Sequence, residues 1–81
     1  RNSMNFTIYS KDGCPFCTQI KKVLELAKLQ HVVYDLDTDF NRHEFYEEFG
    51  NGATFPQVTC NGKKLGGCTD TVKYLREHNF V

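Results

Sequence analysis

The feature that most constrains the fold is a strand–helix–strand pattern in the first half of the chain. Asn5–Tyr9, NFTIY, alternates in polarity and is rich in β-prone residues, which predicts a strand. A helix is predicted from Pro15 to about Gln30, and residues 31–37, HVVYDLD, predict a second strand. The apolar positions of this helix recur at helical spacing: Ile20, Val23, Leu24 and Ala27. Strands that flank a helix are expected to be parallel, with a right-handed crossover.

The second half of the chain predicts a second helix followed by a hairpin. Residues 37–49, DTDFNRHEFYEEF, begin with capping residues and carry two phenylalanines at helical spacing, which predicts a helix closed by Gly50. Residues 55–67, FPQVTCNGKKLGG, predict an antiparallel hairpin that turns at Asn61–Gly62, because Asn-Gly favours tight hairpin turns.

The last segment predicts a third helix that starts beside a pair of glycines. Thr69 or Cys68 is expected to cap this helix, with Asp70 in its first turn and with Val72 and Leu75 facing inward. The predicted order of elements is therefore β-α-β-α-β-β-α, which is an α/β fold.

Size, charge and cysteine content limit the classes of function. We predict one domain over residues 4–81, and Arg1-Asn2-Ser3 is interpreted as an expression scar before Met4. The formal net charge is zero and the charges are scattered, so neither nucleic acid nor a membrane is expected as a partner. No apolar signal or membrane-crossing run follows Met4, and a disulfide scaffold is disfavoured, so a reducing, cytoplasmic location is expected.

The segment Cys14-Pro-Phe-Cys17 places two thiols where the first strand ends and the helix begins. Unpaired N–H groups and the positive end of the helix dipole favour a thiolate at Cys14, and cysteines in such settings titrate at roughly 3.5–7.5. Cys14 is therefore predicted as an exposed nucleophile, and Cys17 as the resolving thiol. A static disulfide and a zinc site are the alternatives. The proline at the helix start disfavours the first, and the wide separation of Cys60 and Cys68 disfavours the second.

Three motifs in order resemble the glutaredoxin family, within the thioredoxin fold: CPFC at 14–17, TFPQV at 54–58 and GGCTD at 66–70. The resemblance covers nearly the whole chain from Met4 and is closest to small dithiol glutaredoxins. It implies a mixed four-stranded sheet with helices on both faces, and a cis peptide bond before Pro56. Phe16 stands where the family usually has tyrosine, and Phe55 where it usually has valine. The hydroxyl that Phe16 lacks is expected to bear on substrate contacts. Phe55 is bulkier than valine but is expected to contribute mainly through its backbone, so the family's function is expected to survive.

The resemblance also implies a glutathione site. Phe55 would offer backbone hydrogen bonds, the start of the last helix would hold the γ-glutamyl carboxylate, and Asp70 would hold the ammonium group. Lys11 would meet the glycine carboxylate, with Arg42 or His43 as candidates for one further contact. The full set of residues expected to bind glutathione is Lys11, Phe16, Thr54, Phe55, Pro56, Gly67, Cys68, Thr69 and Asp70.

The activity that the resemblance implies is glutathione-dependent thiol–disulfide exchange. Glutathione would be a co-substrate, with no tightly bound cofactor and no metal, and the protein is expected to be a monomer. Disulfide-containing or glutathionylated proteins, among them ribonucleotide reductase, are the substrates that the family implies. Two alternatives are an iron–sulfur or metal-binding module and a redoxin that thioredoxin reductase reduces. The CPFC sequence disfavours the first alternative, and the glutathione-pocket residues disfavour the second. Cys60 is expected to be a packed residue outside the chemistry.

Overall fold

The computed structural model describes residues 5–81, and the proposed scar and Met4 lie outside the described residues. Within residues 5–81, the elements follow the predicted order. They are β1 (Phe6–Ser10), α1 (Pro15–Leu26), β2 (His31–Asp35), α2 (Arg42–Phe49), β3 (Gln57–Cys60), β4 (Lys63–Gly66) and α3 (Cys68–Glu77). None of the helices in this part of the chain is both long and apolar enough to span a bilayer.

The four strands form one mixed sheet in the order β2-β1-β3-β4. β1 and β2 are parallel, as the strand–helix–strand pattern predicts, whereas β3 is antiparallel to both β1 and β4. The β3–β4 hairpin turns at Asn61 and Gly62, whose φ angles of 52° and 86° are both positive. Asparagine and glycine tolerate this left-handed backbone best, so the predicted hairpin is confirmed.

The two faces of the sheet are covered differently. Phe6 and Ile8 of β1 are buried against α1 and α3, where they join an aliphatic core. Tyr9 points to the other face and contacts Phe49 of α2, with ring centroids 5.0 Å apart. The other buried members of the core include Ile20, Leu24, Val58 and Leu75. Helices therefore lie on both faces of a mixed four-stranded sheet, which confirms the predicted fold class.

Helix α1 ends at Leu26, four residues before the predicted end at Gln30. Lys28 adopts a positive φ of 58° just after the helix. The N–H of Lys28 donates to the carbonyl of Glu25, and the N–H of Leu29 donates to that of Leu24, both at 3.0 Å. These are the two bonds of a Schellman motif, which satisfies the last carbonyls of the helix and stops it.

Helix α2 begins at Arg42, later than the predicted start at Asp37. Asn41 and Glu44 form a capping box: the Asn41 side chain accepts from the Glu44 N–H at 2.8 Å, and the Glu44 carboxylate accepts from the Asn41 N–H at 2.9 Å. Asp37 has a φ of 68° and lies in a turn outside the helix. The reciprocal bonds therefore select Asn41 among several possible caps. The predicted end at Gly50 is confirmed.

Candidate active site

Cys14 and Cys17 form a disulfide at the start of α1, with their Cα atoms 5.2 Å apart. Cys14 is the N-cap residue in extended conformation, and Pro15 takes the first helical position, where its missing N–H leaves no bond unmade. The Cys14 Sγ accepts from the N–H of Cys17 at 3.1 Å. This bond is the one that an N-cap side chain makes to the third helical residue. The first helical turn therefore points a donor at the sulfur of Cys14.

The two cysteines differ in exposure, in the order that the sequence predicts. Cys14 is 8% exposed, whereas Cys17 is 1% exposed. Cys14 is therefore more buried in this disulfide-bonded form than the prediction of an exposed nucleophile implies. Phe16, between them, is 59% exposed. A partner that reaches the disulfide will therefore meet Cys14 before Cys17.

An open cleft of about 320 Å³ lies beside this disulfide. It is formed by the start of α1, the segment before β3 and the start of α3, three regions that are distant in sequence. All the residues predicted to bind glutathione line it except Lys11, whose ammonium lies above the Phe55 ring, 5.4 Å from its centroid. The lining residues are Phe16, Thr54, Phe55, Pro56, Gln57, Gly66, Gly67, Cys68, Thr69 and Asp70.

Gln57 and Gly66 line the cleft although the prediction did not include them among the binding residues. The Gln57 side chain donates to the carbonyl of Thr54 at 2.9 Å and so braces the turn that carries Phe55. Its position directly after Pro56 is the sequence signal that identifies it. The Phe55–Pro56 peptide bond is cis, as the resemblance implies.

Helix α3 begins at the cleft without a side-chain cap. The expectation that Thr69 or Cys68 caps it is wrong, because the helix starts at Cys68 and the N-cap position falls on Gly67. Glycine has no side-chain acceptor, so the N–H groups of the first turn keep the capacity to bind an anion. Asp70 lies in this turn, as predicted.

Gly66 is required by the carboxylate of Asp70. Its φ is 113°, and a Cβ at this position would lie 2.6 Å from the Asp70 Oδ2. Any side chain at Gly66 would therefore meet both backbone strain and a direct clash with Asp70. The absence of a side chain at Gly66 therefore leaves the space that the Asp70 carboxylate occupies.

Two cations lie near Phe55, one of the residues that line the cleft. The Lys11 ammonium and the Arg42 guanidinium lie over the Phe55 ring, 5.4 Å and 6.0 Å from its centroid. His43 instead faces Glu47, with 3.5 Å between its Nε2 and a carboxylate oxygen, and is strongly exposed. Of the two residues considered for an extra contact, Arg42 is therefore the one beside the cleft.

The remaining cysteines are free and buried. Burial raises the pKa of the Cys68 thiol. Burial likewise raises the pKa of the Cys60 thiol, although the Tyr74 hydroxyl and Lys63 oppose that shift. Both thiols are therefore poor nucleophiles at neutral pH. No cluster of three or more His, Cys, Asp or Glu side chains in residues 5–81 is arranged to hold a metal ion.

Comparison with known proteins places this geometry in a family. The glutaredoxin family model matches residues 6–65. Glutaredoxin-C6 of Oryza sativa subsp. japonica is 35% identical over 77 residues, which cover 91% of this chain and 69% of that protein. A glutaredoxin of Ricinus communis is 36% identical over 67 residues, 79% of this chain. The chain spans 66% of the Ricinus protein, and 42% of the chloroplastic glutaredoxin-C5 of Arabidopsis thaliana.

Solved structures agree with the family match. Wheat glutaredoxin is 32% identical with a TM-score of 0.76, over 93% of this chain and 72% of that one. Reduced Escherichia coli glutaredoxin has a TM-score of 0.80 at 20% identity, over 95% of this chain and 99% of that one, and so shares its fold. A buckwheat glutaredoxin–glutathione complex aligns over 93% of this chain and 71% of that one, with a TM-score of 0.76 at 24% identity.

The fold and the helix-start disulfide define a thioredoxin-like protein with a redox-active cysteine pair. The chain belongs to the glutaredoxin family, whose members are thiol oxidoreductases.

Proposed function

We propose that this protein is a glutathione-dependent thiol–disulfide oxidoreductase that reduces protein disulfides and protein–glutathione mixed disulfides. The observation that carries the proposal is the Cys14–Cys17 disulfide at the start of a helix. Phe16, which lies between the two cysteines, forms a wall of the cleft. A thiol ligand held in that cleft would have its sulfur within reach of Cys14. The glutaredoxin–glutathione complex of buckwheat, which has the same fold, supports this choice of ligand.

The groups around the cleft match the charges of glutathione, a tripeptide with two carboxylates, one ammonium group and a thiol. The uncapped start of α3 suits the γ-glutamyl carboxylate, and Asp70 suits the ammonium group. Lys11, which lies near the Phe55 ring together with Arg42, suits the glycine carboxylate. Phe55 precedes Pro56 and leaves its backbone free to pair with an extended peptide.

Removal of glutathione from a protein would use Cys14 alone. The Cys14 thiolate attacks the glutathione sulfur of the mixed disulfide, the old S–S bond breaks, and the protein thiolate leaves and takes up a proton. A second glutathione thiolate then attacks the Cys14 adduct and releases glutathione disulfide. Cys14 returns as a thiolate, which its position at the helix start stabilises.

Reduction of a protein disulfide would use both cysteines. Cys14 attacks one sulfur of the substrate and forms a mixed disulfide, and Cys17 then attacks Cys14 and displaces the reduced protein. This leaves the Cys14–Cys17 disulfide that the structure contains. Two glutathione molecules reduce that disulfide in two exchanges, and glutathione disulfide is the product. Glutaredoxins have potentials of roughly −200 to −230 mV, close to the glutathione pool, so the exchange can run in either direction.

We further propose that the protein acts as a monomer in the cytoplasm on glutathionylated or disulfide-containing proteins, with ribonucleotide reductase as one substrate to test. The reducing conditions that glutathione chemistry requires support the cytoplasmic setting.

A coupled assay tests the proposal directly. The substrate is a small glutathione mixed disulfide, and NADPH consumption is followed with glutathione plus glutathione reductase. A parallel reaction replaces both with thioredoxin reductase. We expect turnover only with glutathione. Turnover in the second reaction alone would contradict the proposal and identify a redoxin served by thioredoxin reductase.

A further inference from the structure

The ring of Phe55 lies beneath two positive charges. The Lys11 Nζ is 5.4 Å and the Arg42 Cζ is 6.0 Å from the ring centroid. Both distances fall within the range in which an aromatic face attracts a cation. Lys11 follows β1 and Arg42 begins α2, so this one ring is where charges from two separate elements meet.

The ring itself is held by α2. Phe55 and the buried Phe45 are stacked with centroids 4.1 Å apart and planes 8° apart. Phe40 stacks on Phe45 in turn, at 5.8 Å. Phe40 also lies against Phe55, with centroids 6.2 Å apart and planes 20° apart, so aromatic neighbours fix the orientation of the Phe55 ring. Aromatic packing thus sets the position and orientation of the Phe55 ring near which the two cations lie.

Neither cation is neutralised by a carboxylate in residues 5–81. The salt bridges in this range join His43 to Glu47 and Lys64 to Glu48. Glu44, the acidic residue nearest Arg42 in the first turn of α2, instead accepts the Asn41 N–H in the capping box. Two like charges that lie near one ring, without a carboxylate paired to either, repel one another. A bound anion would remove that repulsion.

We propose that Phe55 is a positioning residue for glutathione: its ring holds Lys11 and Arg42 together so that both bind the glycine carboxylate. The inference rests on the proposed function and adds a role for the Phe55 side chain, which the sequence analysis did not assign. Valine, the usual family residue here, has no aromatic face and cannot gather the two cations in this way. The side chain before Pro56 would therefore set how strongly this protein discriminates for the terminal carboxylate.

The experiment compares Phe55→Leu and Phe55→Tyr with the wild-type protein. Leucine keeps an apolar contact with Phe45 but removes the aromatic face, whereas tyrosine keeps the face. Phe49→Leu is the matched control, because Phe49 lies in the same aromatic cluster and also has a lysine, Lys64, over its ring at 5.4 Å, but lies outside the cleft lining. Each variant is assayed with glutathione and with glutathione whose glycine carboxylate is esterified.

We expect Phe55→Leu to raise the KM for glutathione about fivefold, as expected for the loss of weak cation–π contacts, with kcat little changed. The KM for the ester should not change. Phe49→Leu should behave like the wild type with both thiols. Phe55→Tyr, which keeps the aromatic face, should restore most of the preference for glutathione over its ester that Phe55→Leu loses. In the Phe55→Leu background, Lys11→Gln should cost less than it does in the wild-type protein, because the two residues act together.

An equal rise in KM for glutathione and its ester, or the same rise in Phe49→Leu, would overturn the inference and indicate a merely structural role. NMR provides a readout that needs no turnover: the side-chain protons of Lys11 and Arg42 should show upfield ring-current shifts that Phe55→Leu removes. If those shifts are present but the wild type has no glutathione-dependent turnover, the proposed function fails, and glutathione as the ligand with it. If turnover is present but the shifts are absent, only the role of the ring fails.

Discussion

Two helices begin beside the cleft, each with a cysteine at or next to its N-cap position, yet the two sulfur atoms have different surroundings. In α1, Cys14 is the N-cap residue, and its sulfur accepts the Cys17 N–H at 3.1 Å. In α3, Gly67 is the N-cap residue and Cys68 is the first helical residue. Burial raises the pKa of the Cys68 thiol. A shift of one position therefore separates a sulfur that receives a helix N–H from a sulfur that does not.

The residue at the N-cap position, cysteine in α1 and glycine in α3, gives the two helix starts different chemical properties. A side chain at the N-cap position can accept the N–H groups of the first turn, and a negative sulfur there is stabilised. A glycine at that position makes no such bond, so the first turn of α3 keeps its donors for an external anion. In the function proposed above, one helix start activates a nucleophile and the other binds a ligand. The five predictions below test this division, from the largest expected effect to the smallest.

Replacing Cys14 should have the largest effect. Cys14→Ser is expected to abolish turnover in the coupled assay, because a serine hydroxyl is not ionised at neutral pH and cannot exchange with a disulfide. Cys60→Ala, which changes a buried cysteine of the core outside the cleft lining, should retain activity and serves as the matched control. Substantial activity in Cys14→Ser would show that the nucleophile is another thiol.

Replacing Cys17 should separate the two halves of the mechanism. Removal of glutathione from proteins should persist in Cys17→Ser, and can rise, because closure of the Cys14–Cys17 disulfide no longer competes. Reduction of a protein disulfide should fall sharply, since that route requires the second thiol. Both activities are measured on the same variant. Loss of both would place Cys17 in the glutathione chemistry itself, and retention of both would show that the dithiol route is not used.

The two helix-start cysteines should differ in their rates of alkylation. In the reduced protein at pH 7, iodoacetamide should modify Cys14 at least about tenfold faster than Cys68, because a lowered pKa increases the thiolate fraction and a raised pKa decreases it. The rate at Cys68 should climb only at alkaline pH, since burial raises its pKa. Mass spectrometry of timed samples gives both rates. Comparable rates at neutral pH would contradict the comparison.

Replacing Asp70 should weaken the use of glutathione without unfolding the protein. A charge-assisted hydrogen bond contributes roughly 1.5–3 kcal/mol, and because Asp70 is exposed we expect the low end, about a tenfold rise in KM. Asp70→Ala is compared with Glu25→Ala, which removes an exposed carboxylate from α1. An unchanged KM in Asp70→Ala would show that the ammonium group binds elsewhere.

Adding a cap to α3 should have the smallest effect. A Cβ at Gly67 would lie 3.4 Å from the Pro56 carbonyl oxygen, which is a tolerable contact, so Gly67→Ser is expected to fold. The new hydroxyl should stabilise the helix by about a few tenths of a kcal/mol and compete with the ligand for the same N–H groups. We expect a slightly higher Tm and about a twofold rise in KM for glutathione. A higher Tm with no change in KM would show that the ligand does not use these N–H groups.

Local patterns were enough to predict the elements and much of the site. The spacing of apolar residues located α1, Asn61–Gly62 located the hairpin turn, and the two cysteines were placed correctly at a helix start. The errors arose where several local solutions competed. Residues 37–41 include several residues that can cap a helix. Asn41 and Glu44 have the spacing of a capping box, and this was the sequence signal that the prediction missed.

The end of α1 and the N-cap of α3 had no comparable sequence signal. Helical periodicity continues past Leu26, but Lys28 takes a left-handed conformation that few residues other than glycine adopt. At α3, Thr69 and Cys68 both resembled caps, and only the position of the first helical bond, from the Thr71 N–H to the Gly67 carbonyl at 2.9 Å, identified Gly67. Caps depend on which of several adjacent bonds forms, which short patterns specify weakly.

The sequence by itself determined the order of elements, because hydrogen bonding within a helix or a turn depends on residues only a few positions apart. It also determined the cysteine pair and the three motifs, because each of these is a short stretch of the chain. Tertiary structure alone decided that Phe55 stacks on Phe45 and lies under Lys11 and Arg42. It also decided that Arg42, rather than His43, lies beside the cleft. These contacts join residues that are far apart in the chain. They depend on how β1, α2 and the segment before β3 pack together, which no local pattern encodes.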